Sequence, residues 1–197
     1  LQSNVYSYEN IEETLPKHTK RLIKDADRRN VQIIHGQGEL LDEFSRLVEL
    51  TESRKGVALR DKEYFKTLLE NYPEGSVIFL ATCNVYQLDK EIAIAGILSI
   101  QYGNTCEMLY AGMDERFKKF MPQYKEYVEN FKWAFDRRCM WSNMGGVEGS
   151  LDDGLTKFKD NFNPTINELI GEFDIPVYPI MYRLTQKAYE ILKSKHK

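Results

Sequence analysis

Histidine and cysteine are scarce in this chain, with three of each in 197 residues. His18, His35 and His196 lie far apart and in no motif. Cys83, Cys106 and Cys139 have no metal-ligand spacing. A zinc centre and a Cys–His nucleophile pair therefore lack sequence support. Three widely separated thiols read as buried free cysteines in a reducing cytosol, not as a disulfide framework. No G-x-S-x-G nucleophile elbow is present. No apolar run approaches eighteen residues and no signal-peptide pattern is seen, so nothing here is expected to cross or leave through a membrane unaided. A strong basic excess is missing too. The formal net charge of −3 opposes a chain wholly given over to nucleic acid, and leaves room for a local basic face. Hydrophobic residues make up 42% and aromatics 12%, the composition of a packed globular protein. The length suits one good-sized domain or two small ones.

The most informative stretch runs from Gly145 to Phe162. A glycine-dense loop, Gly145-Gly146-Val147-Glu148-Gly149, leads into a short helix on which Leu151, Leu155, Phe158 and Phe162 share one face. Lys159 follows Phe158 by about 100° round the helix, at the rim of that buried face. It reads either as a charge positioned by an anchored aromatic or as an ordinary solvated lysine. The loop fails the P-loop pattern, because no Lys-Ser or Lys-Thr pair follows the last glycine. Asp152 and Asp153 at the helix start suit the helix dipole and repel a phosphate. The glycines are expected to permit a tight turn and close backbone approach.

A first helix starts near Thr14 as N-cap, with Pro16 in its first turn and Asn30 at its C-terminal end. Lys17, Lys20, Arg21, Lys24, Arg28 and Arg29 crowd it, as a solvated face or as a contact for a phosphate-rich partner. A short strand spans Val31–Ile34. Helices follow over Leu40–Thr51 and about Asp61–Asn71, the second stopped by Pro73. Val77–Cys83 and Ile92–Ile100 are strands, the latter apolar on both faces and hence central. Gly103-Asn104 turns the chain into Thr105–Gly112. Pro122 opens a long helix with a stripe of Tyr124, Tyr127, Val128, Phe131, Ala134 and Phe135. Met140–Asn143 is a strand, and two more, near Asn167–Phe173 and Val177–Leu184, finish the sheet before a polar C-terminal helix.

Setting aside the first helix, the order is β-α-α-β-β-β-α-β-α-β-β. It resembles that of the GNAT acyltransferase fold: an α+β protein with a mixed central sheet and helices on both faces. GNAT enzymes that use acetyl-CoA carry a glycine-rich pyrophosphate loop after the fourth strand. Here Gly112-Met113-Asp114-Glu115-Arg116-Phe117-Lys118 holds one glycine and two acids, which disfavours coenzyme A.

Particular motifs carry a closer resemblance. They are Thr19–Ala26 followed by Asn30-Val31, Leu59-Arg60-Asp61-Lys62-Glu63-Tyr64-Phe65, Ala93-Ile94-Ala95-Gly96, Leu109-Tyr110-Ala111-Gly112, Gly145–Gly149 with Gly154-Leu155-Thr156-Lys157-Phe158-Lys159, and Gly171-Glu172-Phe173-Asp174. Together, over about residues 14–185, they resemble the FemABX/MurM family of peptidoglycan cross-bridge aminoacyltransferases. The resemblance implies that residues 1–30 are a lead-in and connecting helix from a missing first domain. Residues 31–185 would be a second GNAT-like domain and 186–197 a C-terminal helix.

The resemblance also implies an activity. An amino acid passes from aminoacyl-tRNA to the stem-peptide amine of a lipid-linked or UDP-linked peptidoglycan precursor. No cofactor is needed beyond aminoacyl-tRNA as co-substrate. The location implied is cytoplasmic, at the inner face of the membrane where the precursor is lipid-linked. Lys159 and Tyr110 match positions near the reacting ester, with Phe158 as anchor. Arg60, Tyr64, Gly145 and Gly146 match the substrate groove, and Asn143 meets the family's residue before its glycine pair. Lys20, Arg21 and Lys24 are expected to contact RNA or the anionic precursor. Because part of the groove belongs to the first domain, the 197 residues alone are expected to be inactive. Tyr64 and Tyr110 also read as packing residues. Two other functions stand beside this one: a GNAT-type N-acetyltransferase, and a non-catalytic domain that binds tRNA or precursor.

Overall fold

The structure is a computed structural model describing residues 11–56, 59–85, 90–147, 152–171 and 173–195. Its two compact units are residues 1–167 and 168–197.

The first unit is built on a five-stranded sheet in sequential order: β1 (Gln32–Gly36), β2 (Ser76–Val85), β3 (Lys90–Tyr102), β4 (Thr105–Met113) and β5 (Trp141–Asn143). The first four pair antiparallel, and β5 runs parallel to β4. β3 is the middle strand, as its two-sided apolar sequence predicts. Alternation along β2 and β3 sends side chains to two cores. Ile78, Leu80 and Leu98 meet Phe44, Leu47 and Phe65 of α3 (Leu41–Lys55) and α4 (Lys62–Asn71). Ile97 and Met108 meet Tyr127, Val128 and Phe131 of α5 (Pro122–Asp136) on the opposite face. Fully burying a side chain of this kind is worth roughly 1.5–3 kcal/mol.

Three local rules place the ends. Asp61 caps α4 by accepting a hydrogen bond from the Tyr64 amide. Gly103 takes φ of 60°, which lets a two-residue turn join β3 to β4. Gly112 has no room for a side chain, since a Cβ there would stand 2.5 Å from the Leu47 carbonyl carbon and 2.6 Å from the Val48 nitrogen. The α3 backbone thus lies directly on β4, tied by the Met113 amide donating to Thr51 Oγ1 at 3.0 Å.

Several expectations are corrected. The first helix does not start at Thr14. A single turn, α1 (Ile11–Thr14), precedes α2 (Lys17–Arg28), and Thr14 Oγ1 donates back to the Ile11 carbonyl instead of capping forward. The apolar stripe of α2 is nonetheless buried, and Asn30 takes the left-handed φ of 55° that ends it. Both helices pack on α5 as part of the first unit. The two strands expected to finish the sheet are not there. The described residues of 167–173 form no strand, and the segment read as Val177–Leu184 enters helix α7 (Pro179–Lys195). Its apolar residues suit either structure, and Pro179 at the first helical position favours the helix. Of the thiols, Cys83 and Cys106 are buried and Cys139 is partly exposed, all three free.

Candidate active site

β4 and β5 pair only from Thr105 to Glu107, opposite Trp141 to Asn143. Beyond that the strands part and leave a wedge. β4 is also bulged there: Leu98 pairs with Tyr110 and Ser99 with Met108, so Leu109 is the extra residue. The wedge is a cleft of about 320 Å³, lined on the β4 side by Met108, Leu109, Tyr110 and Ala111 and on the other by Met144, Gly145, Gly146 and Lys159. Tyr127 of α5 and Ile97 of β3 also line it, as do Thr51, Leu59 and Leu155.

Lys159 lies on α6 (Gly154–Asp160). Asp153 caps this helix, accepting from both the amide and the hydroxyl of Thr156. Lys159 is not at the rim of a buried face: it is only 4% exposed. Its Nζ donates to the carbonyls of Gly145 (3.2 Å) and Gly146 (3.0 Å). The stripe predicted on the same helix is partly wrong. Leu155 is 41% exposed and Leu151 falls outside the described residues, whereas Phe158 and Phe162 pack into an aromatic cluster. Phe158 meets Tyr124 and Tyr127 edge-on at 5.1 and 4.9 Å, so it anchors α6 and is no part of the cleft wall described above. Thr19 of α2 donates to the Asn161 carbonyl, and Asn161 Nδ2 donates to Tyr124 Oη at 3.0 Å. The lysine is thus carried by a helix fixed from two sides.

The turn under the ammonium is also fixed. Gly145 takes φ of 77°, and its amide donates to Asn143 Oδ1 at 2.9 Å. A Cβ on Gly145 would come within 3.5 Å of Lys159 Nζ. The sequence marked Asn143 only by its place in a pattern; its part in shaping the loop is seen only here.

At the cleft's other end Tyr110 donates to Tyr64 Oη at 3.4 Å, and the Arg60 guanidinium stands 5.1 Å from the Tyr64 ring centroid. Tyr64 is 39% exposed and so is not core; its neighbour Phe65 is. Burial, followed by the bond with Tyr64, pushes the Tyr110 phenol above its ordinary value, with Arg60 acting in the opposite sense. Tyr110, Tyr64 and Arg60 thus form one group, and Lys159, Gly145 and Gly146 another, joined by the cleft that Tyr110 and Lys159 both line. Lys20, Arg21 and Lys24 sit apart from it on α2. Lys20 Nζ donates to the Glu13 carbonyl, and Arg21 is 3.3 Å from His18 Nδ1. Sequence reasoning missed Thr51, Leu59 and Tyr127 as lining residues, because their helical or loop positions read equally well as core.

The loop after β4 has a different character. Asp114 accepts from the Arg116 amide and guanidinium, and the Phe117 amide donates to the Asp114 carbonyl. Its donors are spent on protein acceptors, the Asp114 carboxylate and the backbone carbonyls of Asp114 and Ile94. Among the described residues no group of three or more His, Cys, Asp or Glu side chains is placed to hold a metal, and no helix is long and apolar enough to cross a membrane.

The model of the FemAB family matches residues 1–93 and 85–190. The chain belongs to the FemAB family. The lipid II:glycine glycyltransferase of Staphylococcus epidermidis is 28% identical over 102 residues, 49% of this chain and 24% of that protein. This chain thus spans about a quarter of that relative's length. The FemX crystal structure superposes with a TM-score of 0.75 at 17% identity, covering 90% of this chain and 61% of FemX. An aminoglycoside acetyltransferase, meta-AAC0020 from an uncultured soil metagenomic sample, gives 0.56 at 17% identity over 77% of this chain and 98% of its own. The fold is GNAT-like, as the element order predicts, although the last strands expected are not found among the described residues.

Proposed function

We propose that this FemAB domain contributes the acyl-transfer cleft of an aminoacyl-tRNA-dependent transferase acting on the stem-peptide amine of a peptidoglycan precursor during cross-bridge formation. The observation that carries the reading is Lys159: a lysine withdrawn from solvent, its ammonium held on two loop carbonyls in the wall of a cleft. The incoming amine attacks the ester carbonyl of the aminoacyl group, negative charge builds on that oxygen and the ribose oxygen departs. A fixed cation stabilises this charge without reorganising, which is where electrostatic catalysis gains most. No protein nucleophile is required. Burial pushes the Cys106 thiol up to about 12, which keeps it from serving as one. Arg60, stacked on Tyr64, suits a phosphate of the precursor. The basic face of α2 suits RNA or the precursor, in the cytoplasm at the membrane's inner face where that precursor is lipid-linked. The name of the glycyltransferase relative agrees with this substrate class.

The test takes the full-length protein, since this reading places part of the groove in the family's first domain and leaves the 197 residues inactive alone. The protein is supplied with charged tRNA and, in parallel, lipid-linked and UDP-linked muropeptide, and the product is weighed by mass spectrometry. Addition of one amino acid to either precursor is expected, with no binding of acetyl-CoA by calorimetry. Micromolar acetyl-CoA binding without aminoacyl transfer would overturn the reading in favour of an N-acetyltransferase.

A further inference from the structure

Tyr127 stands out among the tyrosines around the cleft. Tyr110 is bonded to Tyr64, and Tyr124 to Asn161. Tyr127 is 5% exposed, yet among the described residues its hydroxyl has no hydrogen-bond partner. The hydroxyl is not among the sealed, unpartnered polar atoms of the core, and the residue lines the cleft with Lys159 and Tyr110. Its ring is fixed by Phe162, stacked at 5.1 Å and 21°, and by Phe158, edge-on at 4.9 Å. A rigid, nearly buried phenol with an unmet hydrogen bond is costly unless something that enters the cleft meets it.

We propose that Tyr127 is a further substrate-contacting residue, its hydroxyl donating a hydrogen bond to the acyl carbonyl oxygen of an aminoacyl ester or amide lodged beside Lys159 and Tyr110. This rests on the reading of the cleft as the acyl-transfer site. The chemistry selects a carbonyl oxygen, because an oxygen that gathers negative charge is drawn to the lysine and accepts from a phenol. Burial, with the Glu126 carboxyl beside it, holds the Tyr127 phenol above its ordinary value, so it remains a donor at neutral pH.

The test is Tyr127→Phe, which keeps the ring and its stacking. Two readouts are taken on the full-length protein: single-turnover transfer, and calorimetric binding of 3′-glycylamino-3′-deoxyadenosine, an amide that mimics the charged end of tRNA. Transfer should fall roughly 10- to 100-fold, and binding of the amide should weaken, with the melting temperature unchanged or raised. Transfer and binding equal to wild type would overturn the proposal and leave the hydroxyl to a buried water. Should wild type prove unable to transfer, the function falls, but Tyr127 stands if the amide binds wild type and weakens in Tyr127→Phe. No amide binding to wild type overturns Tyr127 as well.

Discussion

The loops that leave β4 and β5 start from neighbouring strands and end in opposite conditions. After β4 the chain closes on itself. Asp114 takes the Arg116 amide and guanidinium, and Arg54 pairs with Glu115 at 2.9 Å. After β5 the glycine loop turns its carbonyls to Lys159 and leaves a cleft open beside them. The first spends the Arg116 amide on the Asp114 carboxylate and the Phe117 amide on the Asp114 carbonyl, and the second keeps a cation and a cavity. The difference arises from charge and glycine placement together with the parting of β4 and β5 beyond Glu107.

The largest expected effect separates the two lysines of α6. Lys159→Met removes the cleft cation and keeps most of the stem. Turnover should drop by about 10²–10³-fold, with a far smaller change in substrate binding. Lys157→Met, on the same helix, is the control. Single-turnover transfer measures both, and equal small losses would strip the cleft of its proposed role.

Next come the glycines. Gly112→Ala drives a Cβ into the α3 backbone and should cost about 1–3 kcal/mol or more in a denaturant melt. Gly146→Ala meets nothing within 4 Å and should leave stability unchanged. If both were tolerated alike, α3 would not be seated on β4 as described.

The smallest effect sharpens the contrast in pH. Hydrogen bonds from Arg116, the largest cause, hold the Asp114 carboxyl below the usual aspartate range. A depressed folded value means that the loop's contribution is complete above the ordinary aspartate pKa and is lost as pH falls through the folded one. Asp114→Asn should lower stability at neutral pH and flatten that acid limb of the melting curve. A parallel, unflattened profile would remove Asp114 as the fastener of the loop.

Much of this was legible in the chain. The two-sided apolar run of β3, the Pro122 helix and the helix opened by Asp152 and Asp153 are local matters of period and end charge, which neighbouring residues decide. The resemblance in motifs agrees with the family match. The last segment was misread because Ile166 to Leu184 is apolar without a clean period, so strand and helix fit equally until Pro179 is seen to open α7.

By itself the sequence determined the order of elements from β1 to α6, the two faces of the sheet and the residue types available for chemistry. Only the tertiary structure decided that Lys159 is withdrawn from solvent, that Asn143 shapes the loop beneath it and that Tyr127 lines the cleft with no hydrogen-bond partner for its hydroxyl among the described residues. Burial and an open wedge between strands are set by contacts between residues far apart in the chain, and no local pattern encodes the distance at which they meet.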